Sequence, residues 1–454
     1  MTAPTRRSEA GFSLIELLVA MVIAVEILVA ALTVFDVHNR MARIQTQITD
    51  MQQSLRVGQY DMVRTTRMAG RGGLPLTYTV ATTGTATWLQ GLALEVRNNL
   101  VEDADREVAQ GYDDSPLAVK GTDVLITRGC LSSPMFMVNS ANPGAFTGDA
   151  NGDGTPSDGV LLLDGVTTKG LSQVDGLQQF VDGTLSGPLV LMSAIDRTRL
   201  GYAEVTSVTG DPATQLTLNL TFVSAADPPN PLIGLPDIDG DGVPDPNFTV
   251  GFACVLEEYR YYVRENREIP GDDASRLMPR LARARMIPGT ETAFADDVAN
   301  LSLDLADEII DLQVALGFDS DFDLDGALPG AFDDDPDALG NDDVVYEGAD
   351  NAARGNDDWL WNSTDDDPTD GRWLAHGTPT NFQPVDLLYA RITTVARTAR
   401  PDPRYIAPDF DTDAGHDYVE DNDYAVAPAD VFQQGENRMH RRRVVQTIVD
   451  LRGL

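Results

Sequence analysis

The chain has 454 residues, 42% of them hydrophobic, which excludes disorder throughout and leaves room for one large domain or two ordinary ones. Its 71 Asp and Glu against 33 Lys and Arg give a formal net charge of -38. Such a surface repels phosphate backbones, so no nucleic-acid partner is expected for the body of the protein.

Residues 12–35, FSLIELLVAMVIAVEILVAALTVF, form an apolar run of about 24 residues, long enough to span a bilayer as a helix. Arg6 and Arg7 precede it and Asp36 follows. The positive-inside bias then keeps the short N-terminus in the cytoplasm and exports the rest. An ordinary secretory signal cut near Val29-Ala30-Ala31 is the alternative. Against it, the run exceeds a signal's usual apolar length, and the carboxylate of Glu16 near its start serves no purpose in a signal. An ionised Glu in hydrocarbon is costly and seeks a cationic partner. Glu26, near the middle of the run, reads either as a second inter-subunit contact or as a tolerated polar residue.

The stretch Gly11-Phe12-Ser13-Leu14-Ile15-Glu16-Leu17-Leu18 resembles the processing site of type IV prepilins. The resemblance implies cleavage between Gly11 and Phe12 by a membrane prepilin peptidase and methylation of the new Phe12 amine. It also implies retention of the apolar helix, with Glu16 as the assembly carboxylate.

Beyond Asp36, the apolar positions Met41, Ile44, Ile48, Met51, Leu55 and Met62 recur at steps of three, four and seven. This predicts an amphipathic helix over 36–69 that continues the membrane helix and ends at Gly70, Gly72, Gly73 and Pro75. Unbroken, the two halves make about 58 residues, or roughly 87 Å. Gly58 lies inside and is expected to loosen the helix. After Pro75 short β-rich runs alternate with Gly, Pro and Asp turns, and strands are expected at 123–128, 189–193, 202–208, 215–222, 256–264, 280–287, 310–316, 385–396 and 444–451. The fold class is α+β: a long N-terminal helix packed on a mostly antiparallel, β-rich body with long acidic loop insertions. The expected divisions are a leader (1–11), a membrane-spanning assembly helix (12–36), an amphipathic helix (37–70) and an exported body (71–454).

The two cysteines, Cys130 and Cys254, are expected to form a disulfide in an exported protein; two buried free thiols are the alternative. Carboxylates alternate at Asp149, Asn151, Asp153; at Asp237, Asp239, Asp241 with Asp245; at Asp321, Asp323, Asp325; and at Asp409, Asp411, Asp413. With a nearby Gly for the sharp turn, this spacing gathers oxygen ligands suited to calcium, although acidic turns alone account for it too. Among the four histidines there is no H-x-x-x-H pair, and no nucleophile elbow or phosphate loop occurs, so no enzymatic role is expected.

Further segments narrow the resemblance. Asp61–Gly70 is similar to the helix end of PilW-type minor pilins, and Gly121–Cys130 to their first body strand. Residues 311–317 before an Asp-rich loop, and the basic final strand from Arg441, also fit. The chain departs from that family in its insertions at about 131–186, 224–250, 317–380 and 400–436. What the resemblance implies is a minor pilin held in the inner membrane and then assembled near the pilus tip. Its partners would be other minor and major pilins, prepilin peptidase and the pilus assembly machinery. The rivals are a type II secretion pseudopilin and a membrane-anchored or secreted calcium-dependent adhesin.

Overall fold

The structure is a computed structural model that describes residues 13–74, 78–83, 86–91, 93–98, 100, 103–112, 117–138, 145–154, 157–165, 174–183, 187–193, 200–223, 233–236, 249–268, 276–291, 293–294, 302–319, 358–361, 387–402, 418–419, 422–423 and 439–451. It opens with α1 (Leu14–Thr66), followed by β1 (Tyr78–Thr83), β2 (Ala86–Gly91), β3 (Leu94–Arg97) and β4 (Val124–Gly129). Next come β5 (Phe136–Met137), β6 (Phe146–Thr147), β7 (Asp158–Asp164), α2 (Val174–Val181), β8 (Leu189–Ser193), β9 (Leu200–Asp211), β10 (Gln215–Thr221) and β11 (Val250–Val255). The chain continues through β12 (Glu257–Arg267), β13 (Leu277–Met286), β14 (Leu303–Asp307), β15 (Ile309–Asp319), β16 (Asp358–Trp361), β17 (Leu387–Arg397), β18 (Tyr418–Val419), β19 (Asn422–Asp423) and β20 (Arg442–Asp450).

These strands build three main sheets, ordered β1-β2-β3-β4-β12-β13-β14, β5-β11-β8-β9-β10-β7-β6 and β16-β15-β17-β20, with β18-β19 as a separate pair. Every strand pairing among the described residues is antiparallel. The α+β class follows directly: one long helix on a β-rich body.

Period-two alternation sorts the first sheet into two buried faces. Leu94, Val96, Leu125, Tyr261, Val263 and Leu281 pack with Met51, Leu55 and Met62 of α1, and this core extends to Leu312, Val314, Ile392 and Val449 of the third sheet. Val124, Ile126, Tyr262, Ala282 and Ala284 form a separate cluster with Leu100, Val108, Ala109 and Ala118. The second sheet has its own core, covered in part by Leu177 and Phe180 of α2.

All nine expected strands are present, but the stretch 131–186 is not merely a loop insertion: it contains β5, β6, β7 and α2. The second sheet is built wholly between β4 and β12, which are themselves paired neighbours, with Glu257 opposite Gly129 and Glu258 opposite Arg128. It therefore leaves and re-enters the body through one narrow neck.

Two expectations for α1 need correction. The stripe packs on the core from Ile48, which is partly buried, and is fully buried only from Met51, whereas Met41 is exposed, lying ahead of the point where the core reaches the helix. Gly58 does not interrupt the helix, which runs unbroken for 53 residues, about 80 Å. A Cβ there would sit 2.6 Å from Leu281 Cδ2 and 3.4 Å from Ala306 Cβ, so the glycine permits close approach of β13 and β14. At the helix end, Gly70 N–H donates to Arg128 O (3.0 Å) and Cys130 N–H donates to Arg71 O (2.8 Å). A Cβ on Gly129 would lie 2.9 Å from the backbone oxygen of Met68, which cannot rotate away. Gly129→Ala is expected to destabilise the body by about 1–3 kcal/mol through overpacking, read as a lower denaturant midpoint with unchanged m-value.

Candidate functional site

Every residue from 13 to 39 is exposed, so about 40 Å of helix stands clear of the body. This part of α1 is long and apolar enough to cross a membrane. Its large apolar side chains, from Leu14 to Val37, are exposed and have no body residue against them among the described residues. The body meets the helix at Arg40, whose Nη2 donates to Asp402 Oδ1 (2.6 Å). Further along, Gln59 Nε2 donates to Val445 O (2.7 Å) and to Thr394 Oγ1 (3.1 Å), and its Oε1 accepts from Thr447 (2.8 Å). Asp61 accepts from Tyr261 (2.9 Å) and Arg283 (2.8 Å). These polar locks, with the apolar stripe between them, fix the helix to the first and third sheets and set the direction in which its free half points.

Gly11 and Phe12, the expected processing pair, lie outside the described residues. Ser13 is the N-cap of α1. Its Oγ accepts from Glu16 N–H (3.2 Å), while the Glu16 carboxylate accepts from Ser13 N–H (3.0 Å), a reciprocal capping box. The Glu16 carboxylate thus sits over the first turn, next to the start of the mature chain that the processing site would generate. Sequence reasoning missed the cap, although Ser13-Leu14-Ile15-Glu16 carries its spacing. Glu26 lies on the exposed half, with no hydrogen bond or ion pair among the described residues. Among the described residues the first body contact, at Arg40, is about 21 Å further along the axis.

Cys130 and Cys254 are joined in a disulfide, with Cα atoms 5.9 Å apart and a sequence separation of 124. Cys130 directly follows β4 and Cys254 is in β11, so the bridge closes the neck of the second sheet. Gly72, with φ of +107°, packs on it: a Cβ there would meet Cys130 Sγ at 2.7 Å and Cys254 Sγ at 3.2 Å. Glu257 secures the same neck, accepting from the Ser133 amide (3.1 Å) and pairing with Arg285 Nη2 at 3.2 Å, with the Ser132 amide and hydroxyl also donating to it.

A second group of buried charges had no sequence signal. Glu95, Arg97, Arg128, Glu258, Arg260 and Glu291 form a closed ring of alternating sign. Arg128 bridges Glu95 (2.6 Å) and Glu258 (2.5 Å), Arg97 bridges Glu95 (3.1 Å) and Glu291 (2.8 Å), and Arg260 bridges Glu258 (2.7 Å) and Glu291. Burial alone would raise the Glu258 carboxyl, but the Arg128 and Arg260 guanidinium groups outweigh it and hold it at about 2. The same balance raises both arginines. Only Glu291, with its side chain 47% exposed, touches solvent substantially. The ring is neutral overall and braces β3, β4 and β12 beside the neck.

Of the expected calcium ligands, Asp149, Asn151 and Asp153 are described. The Asp149 carboxylate accepts from the amides of Gly152 (2.8 Å), Asp153 (3.2 Å) and Gly154 (2.9 Å), and Asn151 Nδ2 donates to Asp153 (3.1 Å). The carboxylate thereby closes its own turn. Asp237, Asp239, Asp241, Asp245, Asp321, Asp323, Asp325, Asp409, Asp411 and Asp413 lie outside the described residues. No group of three or more His, Cys, Asp or Glu placed to hold a metal occurs among the described residues.

Residues 6–32 match the family model described as the prokaryotic N-terminal methylation motif. No curated protein and no solved structure matches the chain. The matched segment spans the leader end, the processing site and most of the free apolar helix, with Glu16 in its capped first turn. The chain therefore carries the N-terminus of a type IV pilin-like prepilin, the kind that prepilin peptidase processes and an apolar helix anchors in a membrane.

Proposed function

We propose that the protein is a structural minor pilin of PilW type, held in the inner membrane with its body exported and then incorporated into a type IV pilus near the tip. The observation that carries this reading is the free half of α1: an apolar helix exposed along its length among the described residues, preceded by a processing site and carrying Glu16 in its first turn. In a fibre such helices cover one another, and Glu16 exchanges its local cap for the N-terminal amine of a neighbouring subunit. The rigidly docked second half of α1 transmits the position of that helix to the β-rich body. Other minor and major pilins are the partners this mechanism needs.

Glu16→Ala is expected to insert in the membrane normally, since removing a carboxylate makes insertion easier, and to lose most incorporation into sheared pili. Immunoblots of membrane and pilus fractions measure both, and wild-type incorporation of the mutant would sink the assembly role. Mass spectrometry of the mature chain should find methylated Phe12. Deletion of the gene should abolish surface pili; loss of enzyme secretion with intact pili would instead identify a type II secretion pseudopilin.

A further inference from the structure

The end of the body nearest the apolar half of α1 concentrates arginine on a chain whose formal net charge is -38. Arg40 follows the last apolar residues of the free helix by about one turn, some 5 Å. Asp402, its partner, is shared with Arg441 Nη2 at 3.3 Å. Asp402 N–H donates to Met439 O (2.9 Å) and Thr398 N–H to Arg441 O (2.8 Å), so the end of β17 and the start of β20 close together beside this point of the helix. Glu308 is likewise shared, by Arg276 (2.6 Å) and Arg397 (2.9 Å). Asp402 and Glu308 are thus each divided between two guanidinium groups. Arg43 on α1, Arg400 just after β17 and Arg443 in β20 are all exposed, and none forms an ion pair among the described residues.

We propose that Arg43, Arg400 and Arg443 bind the phosphates of anionic lipid headgroups at the surface of the membrane that α1 spans. The inference rests on that spanning reading. If the apolar run fills the hydrocarbon core, the next turn of helix lies in the headgroup layer, which is about 5–7 Å deep on each side. The arginines docked beside that turn reach the same layer. The rest of the body is repelled by an anionic surface, but repulsion from charges further away than about 10 Å is screened at ordinary ionic strength, so the local cations decide the contact. Guanidinium groups suit phosphate oxygens because they donate in a planar fork. The contact would hold the body upright on the membrane before assembly and be lost when the subunit is extracted.

The test uses the full chain in bilayer discs of phosphatidylcholine alone or with one third phosphatidylglycerol, following unfolding of the body by tryptophan fluorescence. Phosphatidylglycerol is expected to raise the melting temperature by about 3–6 °C at an ionic strength of about 0.1 M. The combined variant R43Q/R400Q/R443Q should melt like the wild type in phosphatidylcholine and lose the gain. Millimolar inorganic phosphate added to phosphatidylcholine discs should not reproduce it. The proposal is overturned by an absent gain in the wild type, by a gain that survives in the variant, or by an equal gain from free phosphate. It is also overturned if the variant is destabilised equally in both lipids, which would mean that the acid-rich segment between Asp402 and Met439 neutralises the cluster instead. Co-elution with the discs reports spanning separately; a chain that never enters phosphatidylcholine discs overturns the spanning reading and this one with it.

Discussion

Glu258→Ala is expected to destabilise the body by about 3–5 kcal/mol, because it leaves Arg128 and Arg260 without the carboxylate they share. Both side chains are buried, Arg260 being only 1% exposed, so neither recovers its hydration. The backbone loses as well, since Gly289 N–H donates to the same carboxylate at 3.1 Å. Glu258→Gln keeps the shape but not the charge and should fall between the mutant and the wild type. Replacing all six ring residues together with apolar residues of similar volume should cost far less than their number suggests, because desolvation of the ring offsets most of its attraction.

The same ring predicts an acid limit. The Glu258 carboxyl sits at about 2 in the folded body against an ordinary 4.5, and Glu291 is also lowered: burial opposes this, and Arg260 and Arg97 prevail. A lowered carboxylate stabilises the fold above its unfolded value, and that contribution is lost as pH falls from about 4.5 through about 2. For Glu258 the loss is about 3 kcal/mol in total. Urea unfolding at steps between pH 7 and pH 2 should show stability falling across that window, and falling less steeply in Glu258→Gln. An identical slope in the two proteins would assign the acid loss to other carboxylates.

Much of the architecture was legible in the sequence where one face of an element is apolar and the other polar. The strands at Leu189–Ser193 and Gln215–Thr221 and the helix stripe from Ile48 to Met62 are of this kind. The signal failed where its premise fails. Glu95 and Arg97 alternate with Leu94 and Val96 as if facing water, yet both are buried, because the ring supplies the countercharges that water otherwise would. Strand β7, Asp-Gly-Val-Leu-Leu-Leu-Asp, is flanked by the same residues that mark acidic turns, so it disappears into the apparent insertion. At Leu256 the chain passes from the second sheet to the first with no turn residue between them, and Val255 to Glu258 are all buried, so periodicity cannot register the change of sheet. The assembly end of the protein was more legible than the body because its chemistry is local. A processing site, an apolar span and a carboxylate in the first turn all lie within one short stretch, whereas the ring joins residues as distant as Glu95 and Glu291.

Reducing the disulfide, or replacing both Cys130 and Cys254 with Ser, is expected to lower stability by about 4–5 kcal/mol, because the bond closes a loop of 124 residues in the unfolded chain. The location of the bond makes the effect regional as well. Between Cys130 and Cys254 lies the whole second sheet with its own core, attached to the rest of the body where β4 and β11 meet the neck. Leu74, Ala93, Val190, Met192 and Leu256 pack around the two sulfurs, so the bond also joins the turn after α1 to both sheets. Without it, the neck is held by Glu257 and by that small apolar cluster. The second sheet should then open before the first, whose core is shared with α1 and the third sheet. Limited proteolysis of the oxidised and reduced full-length protein, with fragments mapped by mass spectrometry, checks this order. Early reduced-state cuts are expected between residues 131 and 253, with α1 and strands β12 to β14 still protected. Two free thiols in a non-reducing mass measurement would remove the basis of the prediction. Simultaneous loss of protection throughout the body would show instead that the two cores unfold as one unit, and that the bond acts only through the entropy of the unfolded chain.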